Sequence, residues 1–186
     1  GHYNAKNHTY ISNVMLKYRI LRNIEAVVNL GYTDSRLDEI RTTPSTTLDP
    51  AYGLGSQVSS AVHNNSQRTS WIVEPQLHWG KDVGKMRLET LLGLSFQSEA
   101  TEKLSQFANG FSSNALIENL GAAGTVRVLE HAETEYAYAA AFARVNLNHD
   151  GKYLLNLTGR RDGSSRFGPG RRFSNFGAIG AAWVFS

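Results

Sequence analysis

Arg160, Arg161, Arg166, Arg171 and Arg172 crowd into one short stretch, TGRRDGSSRFGPGRR (158–172), against a single acid, Asp162. Guanidinium groups at that density could hold a phosphate, grip nucleic acid, or tie a hairpin through forked hydrogen bonds. A phosphate-cradling loop needs the spacing GxxxxGK[ST], and the chain has none. Arginines with an interleaved aromatic, here Phe167, could bind single-stranded nucleic acid. No recognised binding motif surrounds them, and the net charge of the whole chain is only +3. The basic excess is local, so no nucleic-acid partner is expected.

Catalytic chemistry finds even less to work with. Neither GxSxG nor HExxH occurs. The absence of cysteine excludes a zinc ribbon, a disulfide framework and a thiol nucleophile. Six histidines (His2, His8, His63, His78, His131, His149) are scattered. Of these, His63, His131 and His149 fall in expected loops, strand ends or turns and read as solvated side chains. Glu74 and His78 share one strand face at i, i+4, but about 13 Å separates them, too far to chelate one ion. Glu25, Glu74 and Glu89 read as cross-strand partners of Arg19 and Arg87. No catalytic residue, metal ligand or cofactor is expected, and the chain does not read as an enzyme.

The elements that carry these residues are strands. Val14, Leu16, Tyr18 and Ile20 alternate with Met15, Lys17 and Arg19; after LRN, Ile24, Ala26, Val28, Leu30 and Tyr32 alternate again. Two period-2 runs across a tight turn predict a β-hairpin. Further faces are Trp71, Val73, Pro75, Leu77 and Trp79, then Met86, Leu88, Thr90, Leu92, Leu94 and Phe96. A fifth strand is expected over about 134–148, alanine-rich but alternating, which overrides its helical propensity. A sixth begins at Tyr153 and a seventh runs over about 173–185. Pro75 counts against the third strand, because proline lacks a ladder donor.

Connections alternate between short turns, near 21–23, 80–85 and 149–152, and long segments, 37–65 and 98–133. The strands run to roughly a dozen residues, against a globular mode of about 5–6. Short turns gathered at one end and long loops at the other are the mark of an outer-membrane β-barrel. Tyr18, Trp79, Tyr153 and Trp183 share the parity of the apolar faces and sit at the short-turn end, as an interfacial girdle would. The opposite face is polar, with Lys17, Arg19, Glu25, Asn29, Glu74, Gln76, His78, Arg87, Glu89, Arg144, Asn146, Asn156, Thr158 and Arg160. A barrel lumen needs such a face, and so does the wet side of a soluble sheet. Mean hydropathy is −0.34, which suits either. The chain has no apolar run of the roughly 18 residues that a spanning helix needs. The odd strand number, and an opening GHYNAKNHTY without an apolar core, predict part of a larger barrel.

KYLLNLTGRRDGSSRFGPGRRFSNFGAIGAAWVFS closely resembles the barrel signature of the SusC/RagA family of TonB-dependent outer-membrane transporters. The likeness is most specific over 153–168. FARVN (142–146) and LKYRILRNIEAVVNLGY (16–32) resemble further family hairpins, and the two long loops resemble nothing. Gly177 stands where the family usually has proline, and Ala182 where glycine is usual. The resemblance implies an all-β fold: an antiparallel up-and-down meander of about seven strands, 1–186, cut from a transmembrane barrel of about 22. The plug domain and the TonB-contacting segment lie outside this slice. It further implies a place in the bacterial outer membrane, in contact with its lipid. The partners implied for the full-length protein are the TonB complex and a SusD-like surface lipoprotein. The cargo implied is an oligosaccharide or peptide nutrient.

Within this frame Arg160, Arg161, Asp162, Gly163, Ser164, Ser165, Arg166 and Phe167 read as a rim hairpin. Asp162-Gly163 is expected as its turn, with Arg166 paired to Asp162 and Phe167 packed beneath. Contact with cargo, a partner or lipopolysaccharide phosphates is the other reading of the same residues. A short helix is expected around 113–120. Tyr52, Phe107 and Phe111 in the long loops are candidate ligand-stacking residues, or else pack the loops on themselves. The competing reading of the whole chain is a soluble extracellular β-sheet module that binds glycans, which would bury its apolar face against a second sheet.

Overall fold

The computed structural model describes residues 1–165 and 173–185. Arg166 and Phe167, with Arg171 and Arg172, lie outside the described residues, and so do their expected pairing and packing. Seven strands form one antiparallel sheet in sequence order. They are β1 (His2–Leu21), β2 (Ile24–Thr43), β3 (Ser60–Val83), β4 (Met86–Asn109), β5 (Thr125–His149), β6 (Tyr153–Ser164) and β7 (Phe173–Trp183). The meander is the one the alternation predicts, and alanine-rich β5 is extended throughout.

Register fixes the faces. Val145 lies opposite Leu157, which lies opposite Ile179, while Arg144, Thr158 and Ala178 form the adjacent row. Asn146–Asn156 and Phe142–Arg160 are further rows of that second face. Leu155 and Arg160 therefore point to opposite sides, as their parity requires. The turn joining β5 and β6 holds Asp150 at φ 55° and Gly151 at φ 67°. Two consecutive left-handed residues twist the three-residue connection Asp150–Lys152 the way its strands twist, and Asp-Gly tolerates them best. Asn148 Oδ1 accepts from the Gly151 amide at 2.9 Å and completes the turn.

Three expectations are corrected. β1 to β5 are 20 to 25 residues long, not a dozen. Their outer stretches, such as YNAKNHT in β1 and HNNSQRT in β3, are more polar, so hydrophobic alternation fades before the hydrogen-bond ladder ends. The two long loops thereby shrink to 44–59 and 110–124. In place of a helix over 113–120 there are two 3-10 turns, Asn114–Leu116 and Leu120–Ala122. Ser113 and Asn119 start them, each side-chain oxygen accepting a backbone N–H two residues on. Asp162-Gly163 is not a turn. Both residues lie within β6, paired with Ala140 and Ala139 of β5 and with Ser174 and Phe173 of β7. The two flanking strands fix the local backbone more strongly than turn propensity does.

The chain divides into two units. The first comprises Gly1–Tyr10, Thr33–Thr69 and Ala100–Glu135. It has a small core of its own: Phe111 and Ala108 at 0% exposure, Ala61 at 1%, and Ile117, with Leu120, Ala122 and Ala123 packed around them. Hydrogen bonds lock its two loops together. The Ser45 amide donates to Ser59 Oγ at 2.7 Å, Ser59 donates to Asn114 Oδ1, and Asn114 Nδ2 donates to Ser45 Oγ at 3.1 Å. Ser56 Oγ reaches the Phe111 carbonyl at 2.8 Å, and the Gly110 amide reaches the Gln57 carbonyl.

The second unit comprises Ile11–Tyr32, Ser70–Glu99 and Tyr136–Ser186. Its large apolar side chains are mostly exposed, among them Leu16, Tyr18, Leu77, Leu92, Leu94, Phe96, Tyr153, Ile179 and Trp183. Between Leu92, Leu94 and Phe96, the intervening Gly93 and Ser95 are buried. One face is thus a continuous apolar surface, with no second sheet among the described residues to cover it.

Candidate functional site

The polar face of the second unit gathers side chains that the sequence holds far apart. β1, β2, β3, β4 and β5 contribute Arg19, Glu25, His78, Arg87, Glu89, Arg144 and Asn146 to the lining of one concavity of about 890 Å³. Arg22, Lys81 and Asp82, from the short turns and strand ends, complete its charged rim. The period-2 pattern is the cause: each residue has the parity opposite to its strand's apolar row.

None of the expected cross-strand pairs of Glu25, Glu74 and Glu89 with Arg19 or Arg87 forms among the described residues. Arg87 donates to Asp82 at 3.0 Å and to Glu89 at 3.4 Å on its own strand. Glu74 accepts from Ser95 at 2.9 Å rather than from an arginine. His78 and Gln76 share a hydrogen bond of 3.0 Å. Arg19, Arg22, Lys81 and Arg144 form no ion pair with any described residue, which leaves this face with a surplus of unneutralised positive charge.

The arginine motif is built into the sheet. Arg160 Nε donates to Asp162 Oδ1 at 2.6 Å, its Nη2 donates to the Tyr138 hydroxyl, and its guanidinium lies over the Phe142 ring. On the opposite face Arg161 lies over the Phe173 ring at 4.7 Å. Gly163 is buried in the sheet. Ser165 is tied to β5 twice, its amide donating to the Ala137 carbonyl and its Oγ accepting from the Ala137 amide, both at 2.9 Å. Tyr138 is the partner that sequence reasoning missed, although its even parity already put it beside Arg160. Asn114, the hub of the loop network, gave no sequence signal.

The loop candidates separate. Phe111 is fully buried and packs the loops, so it is not available to stack on a ligand. Phe107 is half-buried, with Arg127 over its ring at 5.2 Å. Tyr52 stays open at 72% exposure, on the 3-10 turn Pro50–Tyr52 that Asp49 caps. His63 and His131, expected in loops, lie within β3 and β5. Also in the first unit, Tyr3 donates from its hydroxyl to Glu39 at 2.9 Å beside Arg41 and Asn64. That hydrogen bond to a carboxylate holds the phenol above its ordinary pKa.

The short-turn end carries the aromatic girdle. Tyr153 and Trp183 stack with ring centroids 6.3 Å apart, and Phe185 and His149 extend the row. Among the described residues no helix is long and apolar enough to cross a membrane. An exposed apolar face flanked by aromatic rings and backed by a polar face is how strands cross one.

No family model matches the chain. Its sequence is 29% identical over 181 residues to TonB-dependent receptor P3 of Formosa agariphila, covering 96% of this chain and 18% of that protein. TonB-dependent receptor P26 of the same organism is 33% identical over 136 residues, covering 72% of this chain and 14% of the relative. The chain thus spans less than a fifth of the length of these relatives. Among solved structures, that of the RagAB peptide transporter superposes with a TM-score of 0.79 over 97% of this chain and 20% of that one, at 22% identity. Sequence likeness along nearly the whole chain, a meander with one lipid-suited face and an aromatic girdle converge: this chain is a stretch of the outer-membrane β-barrel wall of the TonB-dependent receptor family.

Proposed function

We propose that the whole protein imports an oligomeric nutrient, oligosaccharide or peptide, across the outer membrane, and that this chain supplies part of the lumen wall. The observation that carries the reading is the two-faced wall of the second unit. Ile179, Leu92 and Trp183 suit hydrocarbon, while Arg19, Glu25, Arg144 and Asn156 suit a water-filled passage. Energy comes through the TonB complex, and a SusD-like surface lipoprotein partners the receptor, in keeping with the SusC/RagA-like motif at 153–165. The chain performs no catalysis in this scheme. The rim residues Arg160 to Ser165 are structural, and Tyr52 is the loop residue placed to meet cargo. A soluble glycan-binding module fits less well, because its apolar face would need a covering layer.

The test is uptake in a strain whose own receptor gene is deleted. Restoring the full-length gene restores growth on one class of oligomeric nutrient, and inactivating TonB removes that growth. Growth that persists without TonB overturns the proposal.

A further inference from the structure

Away from the barrel-wall concavity, β4 and β5 bring three potential metal ligands together in the first unit. Glu102 comes from β4, and His131 and Glu133 come from β5. His131 Nε2 lies 3.8 Å from Glu102 Oε1 and 3.7 Å from Glu133 Oε1. One donor atom from each residue falls within 4.8 Å of the other two.

Strand geometry explains the convergence. Residues i and i+2 point to the same side, so His131 and Glu133 stand on one face of β5. A neighbouring strand runs about 4.8 Å away, within reach of a glutamate side chain. The backbone beneath is set by the hairpin, which the Gly124 amide closes onto the Gly110 carbonyl at 2.9 Å.

The charges are the second part of the argument. Two carboxylates are directed at one imidazole, and neither pairs with a lysine or arginine among the described residues. Two anions held this close repel one another unless a cation lies between them. A protonated imidazole supplies one positive charge, whereas a divalent ion supplies two and balances both carboxylates.

We propose that Glu102, His131 and Glu133 form a surface site for a divalent transition-metal ion of the zinc type, with water as the fourth ligand. The donor set selects the class of ion. One imidazole nitrogen with two carboxylate oxygens suits Zn²⁺, whereas Ca²⁺ and Mg²⁺ favour oxygen donors alone. Zinc holds nitrogen and oxygen ligands at about 2.0–2.2 Å, which puts tetrahedral donors roughly 3.3–3.5 Å apart. The two imidazole–carboxylate distances are a few tenths of an ångström longer, and all three side chains are exposed enough to close that gap. Bound metal would pin β4 to β5 and stabilise the hairpin by mass action. The sequence does not announce such a site, because its ligands belong to no local motif and meet only once β4 and β5 pair.

Calorimetric titration of the full-length protein in detergent micelles with zinc chloride tests the site. The expected result is one ion per chain with micromolar affinity. His131→Ala and, separately, the isosteric pair Glu102→Gln with Glu133→Gln each weaken it at least about tenfold, while Glu135→Gln leaves it unchanged. Circular dichroism confirms that each variant keeps its strand content, and the glutamine pair stands in if the alanine variant does not fold. The site is overturned by the absence of a saturable signal below millimolar zinc. It is equally overturned by an isotherm that survives both variants, which marks adventitious binding, or by magnesium or calcium binding as tightly as zinc.

Discussion

Ile179 and Phe111 are both large and apolar, and the structure treats them in opposite ways. Ile179, in the second unit, is 79% exposed; Phe111, in the first, is 0% exposed. The second unit turns its apolar residues outward in rows and relies on lipid to cover them. The first folds part of its apolar surface inward around one ring while Leu54, Val128 and Leu129 stay exposed, and side-chain hydrogen bonds from Ser45, Ser56, Ser59 and Asn114 tie its loops. The difference separates two solvents. Hydrocarbon rewards exposed leucine and isoleucine, whereas water requires even a loop to enclose a core.

Removing the ring is the sharpest way to break that comparison. Phe111→Ala deletes the largest side chain of the loop core and is expected to cost about 3–5 kcal/mol locally. Limited proteolysis of the protein in micelles should then cut within 44–59 and 110–124, while the second unit stays resistant. Loops that remain protected would show that the hydrogen bonds alone hold them.

The converse change attacks the lipid-facing wall. Ile179→Arg places a charge in the middle of β7, opposite Leu157, on the face assigned to hydrocarbon. Arginine near the bilayer midplane costs about 2–4 kcal/mol in a β-barrel. Assembly into outer-membrane fractions should fall, with loop protease resistance unaltered in the molecules that do assemble. Full assembly of Ile179→Arg would reassign that face to water.

These two regions also differed in how much their residues disclosed. Alternation gave the strands of the second unit, their faces and the positions of Arg19, Glu25, His78, Arg87 and Arg144, because a sheet between hydrocarbon and water imposes a strict period of two. In the first unit polar residues such as Asn65, Asp38 and Ser105 lie on the strands themselves, so no strict apolar row marks where a strand runs. The strand ends were illegible there for that reason, and Phe111 looked like an open loop aromatic. Asp162-Gly163 misled in another way: a local turn preference lost to ladder pairing on both sides. The identity of any cargo was not legible at all, because no motif in these residues marks a ligand contact.

A finer test lies inside the wall. A Cβ at Gly93 would collide with the Phe142 ring. The glycine is there because the aromatic occupies the space its side chain would need. Gly93→Ala should therefore cost about 1–3 kcal/mol through overpacking. Adding Phe142→Leu should recover most of that loss, a non-additivity read by thermal unfolding of the single and double variants in micelles. Additive losses would mean the ring moves aside freely and that this part of the wall is less tightly packed than the loop core.

The smallest expected effect concerns the arginine motif. Arg160 reaches three groups at once: Asp162, the Tyr138 hydroxyl and the Phe142 face. Only a planar fork does this, so Arg160→Lys keeps the charge while losing the geometry. Its side chain is 43% exposed and Asp162 17%, so water screens part of the interaction and the loss should stay below about 1 kcal/mol. If the motif is structural, stability drops slightly and cargo affinity of the full-length receptor does not change. If Arg160 instead grips cargo or phosphate, stability barely moves and affinity falls sharply with added salt. Measuring both quantities on the same variant decides whether this dense cluster of arginines belongs with the wall or with the passage.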